Sequence, residues 1–297
     1  MASQFVYNTT PPVPEIPGPI FPDFDPNSPM SQKMIRAKQL DDGSYWTSMR
    51  EVFAHDFNTL PKERFKVWAS TLNVPFVCRT RYMRYMAAAT DLIVNDPNFF
   101  YALQEPMVGC TPRDYVNFLQ VFDDYHTSYN RIIHAGHLKF CGYTSEQIAN
   151  MDTIVELGAG IGDMADIIHK LGFKGKYIIY DFPEIGAVQK WYHDKLGHKN
   201  IIHTSSVEDL EDADLCIGTF SLTEMPIDLR NDIVGKINNT KNWLISFSRS
   251  IFGIDNVEWI DNELVPLFTN HDVEFQDIES MPWHGGARYL TIKQKTA

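Results

Sequence analysis

Hydrophobic and polar positions follow two different patterns along this chain of 297 residues. From Met30 to about Tyr143 the apolar residues recur at helical spacing, three or four positions apart. Helices are therefore predicted over 45–57, 62–72, 81–94 and 111–140. Thr111 followed by Pro112 is a typical cap and first-turn pair for the last of them. The region from Met30 to about Tyr143 is therefore predicted to be helical.

After Asp152 short apolar runs alternate with helical stretches. Strands are predicted over 153–157, 177–181, 200–204, 214–220, 242–248, 272–278 and 287–293. Helices are predicted over 163–171, 185–195 and 229–237, and Thr144 with Gln147 forms a capping box for a short helix before the first strand. This alternation predicts a mainly parallel sheet with right-handed crossovers, which binds ligands beyond the carboxyl ends of its strands.

Prolines mark a separate segment at the start of the chain, because the first thirty residues hold eight of the seventeen prolines. Such a segment favours an extended arm, either disordered or draped across a neighbouring subunit of a homo-oligomer. We therefore expect an arm at 1–30, a helical cap and substrate-binding region at 31–143, and a cofactor-binding sheet domain at 144–297.

A glycine-rich turn follows the first predicted strand, where Val155 to Gly162 read V-E-L-G-A-G-I-G. Glycines at 158, 160 and 162 allow a tight turn where side chains would collide with a ligand. Asp181 ends the second strand, where an acid is placed to accept hydrogen bonds from ribose hydroxyls. The pattern predicts a nucleoside site.

The kind of nucleoside depends on two acidic residues. A dinucleotide fingerprint needs a third glycine where this chain has Asp163, and Glu156 would repel a pyrophosphate but suits a cationic amino-acid group. The E-x-G-x-G-x-G arrangement resembles motif I of class I S-adenosylmethionine (SAM) methyltransferases. That resemblance implies a seven-stranded Rossmann-like sheet, which here would carry an α-helical N-terminal cap. A nicotinamide or flavin cofactor, or a turn that serves packing alone, stays an alternative.

Two further segments indicate a particular family within this class of methyltransferases. Residues 214–226 read D-L-C-I-G-T-F-S-L-T-E-M-P, and residues 181–192 read D-F-P-E-I-G-A-V-Q-K-W-Y. From Thr144 onward the chain looks like a family of sugar O-methyltransferases, although Phe220 replaces a serine of the family's motif. The resemblance implies methyl transfer from SAM to a sugar hydroxyl, with S-adenosylhomocysteine (SAH) as product. The rivals are a methyltransferase for a phenol, amine or carboxylate, and a non-catalytic assembly protein.

The residues at the carboxyl ends of the strands are the predicted cofactor ligands. They are Glu156, Gly158, Ala159, Gly160, Gly162, Asp181, Phe182, Val207, Glu208, Thr219, Phe220 and Ser221. Phe182 either stacks on the base or packs in the core, and Glu208 is either an adenine contact or an ordinary loop residue.

A hydroxyl acceptor also benefits from a general base. His284 is one candidate, in the predicted turn between the last two strands beside Trp283, whose flat ring suits a sugar. The alternative for His284 is an ordinary surface histidine in a Gly-Gly turn. Glu224 follows the fourth strand and is a base, an acceptor for a substrate hydroxyl or a helix-cap partner. His134 and His137 share one helix face and are either substrate contacts or structural or surface histidines. A divalent metal ion stays open because some sugar O-methyltransferases use magnesium, but two histidines without a third ligand do not require one.

Composition narrows the class of partner. The chain is 44% hydrophobic with a net charge of −12, which disfavours binding to nucleic acid. Arginines at 79, 81 and 84 either pair with acids at a helix start or clamp an anionic group of the substrate. Cysteines at 78, 110, 141 and 216 lack paired or metal-binding spacing. With no membrane-length apolar run or leader, we expect a cytoplasmic enzyme with reduced thiols and a small-molecule or glycan substrate.

Overall fold

The computed structural model describes residues 44–66, 83–109, 118–122, 125–251, 253–278 and 286–295. The helices are α1 Ser44–Thr59, α2 Met83–Ile93, α3 Pro97–Ala102, α4 Tyr129–Phe140, α5 Ser145–Ala149, α6 Asp163–Lys170, α7 Pro183–Leu196, α8 Ile227–Lys236 and α9 Asn256–Trp259. The strands are β1 Phe118–Phe122, β2 Tyr125–Ser128, β3 Thr153–Leu157, β4 Lys176–Tyr180, β5 Ile201–Thr204, β6 Leu215–Thr219, β7 Asn242–Ser248, β8 Ser250–Ile251, β9 Ile254–Asp255, β10 His271–Ile278 and β11 Ala287–Gln294. Short 3₁₀ turns lie at Lys62–Arg64, Val207–Asp209, Leu222–Glu224 and Val265–Leu267, and a π turn lies at Ile260–Leu264.

Seven strands form one sheet in the order β10, β11, β7, β6, β3, β4, β5. The pairings among β7, β6, β3, β4 and β5 are parallel, whereas β11 runs antiparallel to both of its neighbours. This is the sheet that the resemblance to class I methyltransferases implies, so the predicted fold class is confirmed for the sheet. The carboxyl ends of β3, β4 and β6 meet at one edge.

Two apolar layers enclose the sheet. Side chains of α4 and α6 pack on one face, against residues such as Ile154, Ile217 and Leu244. Side chains of α8 and α9 pack on the other face, against Val155, Cys216 and Trp243. Since fully burying one such aliphatic side chain contributes about 1.5–3 kcal/mol, these layers hold the strand ends in fixed positions.

The predicted helix over 111–140 is confirmed for Tyr129–Phe140 but is wrong for Phe118–Phe122 and Tyr125–Ser128. Strands β1 and β2 pair as an antiparallel hairpin, and helix α4 begins only at Tyr129, capped by the Ser128 hydroxyl that accepts from the Arg131 N–H at 3.3 Å. The hairpin sequence is rich in aromatic and β-branched residues, which favour strands. Thr111 and Pro112 lie outside the described residues.

Sequence signals at other helix starts agree with the structure. Thr144 and Gln147 form the predicted capping box before α5. Helix α3 was not predicted, although Asp96 caps it and Pro97 occupies its first turn, a recognisable start signal. In the predicted helix over 62–72, the described part ends at Lys66.

Some expectations fall partly or wholly on residues that the structure does not describe. The predicted arm at 1–30, Cys78 and Cys110 lie outside the described residues, whereas Cys141 and Cys216 are buried free thiols. Within the described residues, no helix combines the length and the apolar character needed to cross a membrane.

Candidate active site

The glycine loop, residues 158–162, follows β3 in backbone conformations that glycine adopts most readily. Gly158, Gly160 and Gly162 have φ values of +69°, +57° and +92°. A Cβ at Gly158 would lie 2.4 Å from the Cβ of Ser221, and one at Gly162 would lie 2.6 Å from the ring of His193. The loop therefore packs too closely against its neighbours to accept a side chain at these two positions.

Asp181, just beyond β4, fastens this loop. Its Oδ2 accepts from the Ala159 N–H at 3.1 Å and from Gln189 Nε2 at 2.7 Å, and its Oδ1 accepts from the Phe182 N–H at 2.8 Å. Burial raises the pKa of Asp181 to about 6, against the lowering effect of these hydrogen bonds. Because each carboxylate oxygen can accept twice, Oδ1 keeps capacity for one more donor.

Gln189 on α7 is a second fastening that the sequence did not reveal as a site residue. Its Nε2 also donates to the carbonyl of Gly160 at 2.9 Å. Its Oε1 is buried and has no hydrogen-bond partner. The signal was present, because Gln189 follows Asp181 in the quoted D-F-P-E-I-G-A-V-Q segment.

Glu156 lies in β3, two residues before the loop, and is 1% exposed. Its Oε2 accepts from the hydroxyl of Tyr177 at 2.8 Å, while its Oε1 is buried without a hydrogen-bond partner. Burial raises the pKa of Glu156 to about 8, although the Tyr177 hydrogen bond opposes this rise. A cation placed beside Oε1 would reverse that shift.

The turn after β6 contains a non-glycine residue in the left-handed region, Phe220, with φ of +58°. Such a residue costs on the order of 1–3 kcal/mol and is held by its surroundings. Here the Phe220 N–H donates to the Ser246 carbonyl at 2.8 Å, and the Ser221 hydroxyl donates to the carbonyl of Leu157. The left-handed backbone at Phe220 thus places Ser221 against the glycine loop. Thr219, the last residue of β6, is half-buried.

Arg230 of α8 supports the next residues of the same turn. It is fully buried and donates to the carbonyls of Thr223 and Met225, to the latter at 2.7 Å. Its Nη1 also donates to Asn256 Oδ1 at 2.8 Å. These contacts explain why the S-L-T-E-M segment forms a compact 3₁₀ turn, Leu222–Glu224, at the edge of the sheet.

Glu224 is the predicted base at the end of this turn. Loss of surrounding water raises its pKa to about 8, while Arg230 and a hydrogen bond from the Trp46 side chain act in the opposite direction. Its carboxyl is thus poised near neutral pH, which suits a group that exchanges a proton.

Helix α1 covers the same edge of the sheet. Trp46 lies with its ring centroid 6.2 Å from that of Phe182, and the guanidinium of Arg50 lies 4.7 Å above the Phe182 ring. Arg50 also forms a two-pronged ion pair with Glu184, with both N–O distances at 2.9 Å. Phe182 is therefore a contact of α1 in this structure.

His134 and His137 share one face of α4, with ring centroids 6.2 Å apart, as their spacing predicts. His137 Nδ1 lies 2.6 Å from the hydroxyl of Tyr289 on β11, and its ring lies 6.2 Å from that of Phe220. Burial lowers the pKa of His134 to about 4 and lowers that of His137 well below its usual value. Both imidazoles are neutral at pH 7.

A row of hydroxyl side chains crosses the sheet beneath these histidines. Ser246 on β7 pairs with Thr219 on β6 and with Tyr289 on β11. Directly paired residues place their side chains on the same face, about 4.5–5.5 Å apart at Cβ. The hydroxyl of Ser246 and the Nδ1 of His134 are both buried and lack a hydrogen-bond partner. Ser246 and Tyr289 carry no sequence signal, because only the register of β11 brings them here.

The remaining predicted site residues are more distant or lie outside the described residues. Val207 packs on the core from its 3₁₀ turn, whereas the Glu208 carboxylate is exposed and lies 3.4 Å from Lys236 Nζ. His284, Trp283, Arg79 and Arg81 lie outside the described residues, and Arg84 lies in α2. Across the ranges that the structure describes, no group of three or more His, Cys, Asp or Glu side chains is placed to hold a metal ion.

Comparison with known proteins gives weak likenesses. No family model matches this chain, and no curated protein sequence matches it. Among solved structures, magnesium protoporphyrin IX methyltransferase from Synechocystis PCC 6803 with bound SAM is 10% identical, with a TM-score of 0.40, over 55% of this chain and 76% of that chain. N-methyltransferase NodS from Bradyrhizobium japonicum WM9 with SAH is 11% identical, with a TM-score of 0.43, over 56% and 88%. Ribosomal protein L11 methylase from Lactobacillus delbrueckii subsp. bulgaricus is 18% identical, with a TM-score of 0.42, over 61% and 91%.

Proposed function

We propose that this chain is a SAM-dependent methyltransferase, with the nucleoside held at the carboxyl edge of β3, β4 and β6. The observation that carries the proposal is a pair of buried acceptors beside the glycine loop, Glu156 Oε1 and Gln189 Oε1, that lack hydrogen-bond partners. A buried acceptor without a donor costs free energy, on the order of 1–3 kcal/mol. SAM offers the missing donors, because it carries an ammonium group and ribose hydroxyls.

Each cofactor contact in the proposal follows from a position on this edge. Glu156 receives the ammonium, the free acceptor position on Asp181 Oδ1 receives a ribose hydroxyl, and the glycine loop gives the backbone close access. Thr219 and Phe220 border the site from β6, while Val207 is assigned to the adenine side. Glu208 is the weakest of these assignments, because its carboxylate points to solvent and pairs with Lys236.

A dinucleotide fits this edge poorly. Glu156 and Asp181 place two carboxyl groups beside the loop, whereas the charge of Asp163 is already met by Lys66 and Arg131. A pyrophosphate would bring further negative charge to the same place, with no cation of the loop to meet it. SAM is cationic at both its sulfonium and its ammonium, so the charge of the site favours it.

The acceptor is proposed to be a hydroxyl group of a sugar or of a sugar-containing molecule. Hydroxyl and imidazole groups on the α4 side of the sheet, Thr219, Ser246, Tyr289, His134 and His137, are proposed as a polar but uncharged lining, with Ser246, His137 and Tyr289 buried in the ligand-free protein. Such a lining suits a molecule with many hydroxyls, whereas a phenol would need apolar walls. SAM, when bound, supplies an activated methyl group, and the protein's part is to align the hydroxyl and accept its proton.

Four residues are proposed as candidates for the base that accepts the proton of the substrate hydroxyl. Glu224 has a pKa of about 8 and lies at the turn after β6. His137 and His134 lie above the hydroxyl row, and His284 belongs to the segment between β10 and β11. No metal ion is assigned a role.

One incubation tests the proposal. Protein with SAM labelled in its methyl group is mixed with a panel of sugars, nucleotide sugars, phenols, amines and carboxylates, and the products are read by mass. A labelled methyl ether on a sugar supports the full proposal. Label on a phenol, amine or carboxylate refutes the sugar assignment but keeps the methyltransferase. Absence of both label transfer and SAH binding refutes the methyltransferase itself.

The wider setting is part of the same proposal. We propose a cytoplasmic enzyme with a small-molecule or glycan acceptor, in which region 31–143 caps the sheet domain at 144–297. The proline-rich arm at 1–30 is proposed to join subunits of a homo-oligomer. Removing residues 1–30 should then lower the mass measured by light scattering, and an unchanged mass would contradict that role.

A further inference from the structure

Asp163, the first residue of α6, directly follows the glycine loop and is fully buried. Its carboxylate meets side chains from three other parts of the chain. Oδ1 accepts from the Tyr192 hydroxyl on α7 at 3.0 Å and from Lys66 Nζ at 3.3 Å, while Oδ2 accepts from Asn130 Nδ2 on α4 at 2.6 Å. Arg131 Nη1 lies 3.5 Å from Oδ1. The proposed function gives Asp163 no role, so these contacts call for another explanation.

Lys66 links segment 44–66 to a charged cluster made of Lys66, Glu105, Arg131, Asp163, Asp166 and Lys170. It is fully buried, and its Nζ donates to Glu105, Asp163 and the Tyr192 hydroxyl, to the last at 3.1 Å. The preceding residue, Phe65, packs its ring edge-on against Tyr192 with centroids 5.5 Å apart. Phe65 and Lys66 therefore lie between α6 and α7, next to the loop.

The cluster balances its charges. Arg131 and Lys170 lie 2.8 Å and 2.9 Å from Asp166 Oδ2, so three cations, Lys66, Arg131 and Lys170, face three acids, Glu105, Asp163 and Asp166. Burial would raise the pKa of Asp163, but Lys66 and Arg131 hold that pKa well below its usual value. Removing one charge would leave an uncompensated partner in the interior, which is strongly destabilising.

Buried ion pairs of this kind add little net stability compared with apolar packing, so their use is better explained by the geometry that they impose. The glycine loop is held at several points: Gln189 donates to the Gly160 carbonyl, His193 Nε2 lies 2.9 Å from the Gly162 carbonyl, and the two acids that flank the loop hold its ends. Asp181 holds its start through Ala159, and Asp163 holds its end through the cluster. Of these contacts, the one through Asp163 includes a residue from segment 44–66, Lys66.

We infer that Lys66 and Asp163 are positioning residues, through which docking of segment 44–66 sets the shape of the glycine loop. The cofactor site is then complete only when this segment is in place. The inference rests on the proposed function in one respect, namely that the loop binds SAM. The shape of the loop itself can be measured without any ligand.

The test compares Lys66→Met with Lys190→Met, which changes an exposed lysine of α7 paired with Asp194. Hydrogen exchange of amides 158–163 is measured in the ligand-free proteins, and SAH affinity is measured by calorimetry. We expect Lys66→Met to speed loop exchange at least tenfold and to weaken SAH binding at least tenfold, with Lys190→Met unchanged. Faster exchange confined to residues 62–66 and 105, with the loop unaffected, would overturn the inference.

A double variant separates positioning from simple loss of folding. Lys66→Met with Glu105→Gln removes one charge of each sign and restores the balance, so the variant should fold and still leave Asp163 without its lysine. In this folded double variant, amides 158–163 should still exchange at least tenfold faster than in the unchanged protein. The separate single variant Lys66→Arg, which keeps the positive charge, should show the slow exchange of the unchanged protein. A double variant with slow loop exchange would refute the inference. If the unchanged protein fails to bind SAH, the proposed function falls while the exchange result still decides this inference.

Discussion

Affinity for SAH should depend on pH through Glu156. In the ligand-free protein the pKa of this carboxyl is about 8, raised by burial and with one oxygen lacking a partner. To pair with the ammonium of SAH the carboxyl must first lose its proton. At about 1.36 kcal/mol per pKa unit, that loss costs about 1.4 kcal/mol at pH 7 and about 2.7 kcal/mol at pH 6.

The expected change follows from the ionised fraction. With a ligand-free pKa of about 8 and a bound pKa below 6, SAH should bind about twentyfold more tightly at pH 7.5 than at pH 6. Glu156→Gln keeps the shape and can still accept from Tyr177, but it cannot ionise. Because a bound pKa below 6 means that the ionised carboxyl binds SAH at least about a hundredfold more tightly than the uncharged one, the variant should bind at least about twentyfold more weakly than the unchanged protein at pH 7.5, and this gap should narrow at pH 6.

Stability should move in the opposite direction. Because the folded pKa lies above the unfolded value of 4.5, the carboxyl favours folding least at high pH, where the unfolded chain ionises freely. Ligand-free Glu156→Gln should thus melt at a higher temperature than the unchanged protein at pH 8. Calorimetry at pH 6, 7 and 7.5 and melting at pH 8 provide the measurements, and Glu146→Gln, at an exposed position of α5, is the control. SAH affinity that is flat with pH in the unchanged protein would refute this account of Glu156.

Three other changes have defined outcomes. Gly158→Ala places a Cβ 2.4 Å from that of Ser221, so it should abolish SAH binding in calorimetry, whereas Gly186→Ala, with open space around its Cβ, should bind SAH normally; equal affinities would contradict the tight loop. If Glu224 is the base, turnover at saturating SAM should rise with pH to a limit near its pKa of about 8, and Trp46→Phe should shift that rise to higher pH by removing a donor to the ionised form. A profile flat from pH 6 to 9 would instead favour the neutral imidazoles of α4. Asp166→Asn should lower the free energy of unfolding by about 3–5 kcal/mol at pH 7. Because Arg131 and its other partners hold the Asp166 pKa well below the unfolded value of 3.8, this difference should shrink as the pH falls below about 4 in denaturant titrations, and a constant difference would count against the ion pairs.

The sheet was predictable because its strands are short apolar runs separated by clear helix signals. The predicted strand over 153–157 matches β3, and the predicted strand over 242–248 matches β7. The loop glycines and Asp181 were also found, since their chemistry is local in sequence. The hairpin of β1 and β2 was missed because its apolar residues fit helical spacing equally well, and only their aromatic and β-branched character indicated strands.

The rest of the site depends on contacts between distant parts of the chain. Lys66 and Asp163 are 97 positions apart, and Tyr289 meets His137 across 152 positions. A lysine or a tyrosine carries no mark of burial in the sequence, and lysines in particular are mostly found at the surface. Register and packing decide these pairings, so one sequence leaves them open.

Calorimetry of the purified protein with SAH, beside NAD and beside the Asp181→Ala variant, decides whether the glycine loop and Asp181 form a SAM site. We expect one SAH per chain, no heat from NAD, and at least a tenfold loss of SAH affinity in Asp181→Ala, since Asp181 both fastens Ala159 and receives the ribose in this proposal. Binding of NAD without SAH, or SAH binding that is unchanged by Asp181→Ala, would contradict it.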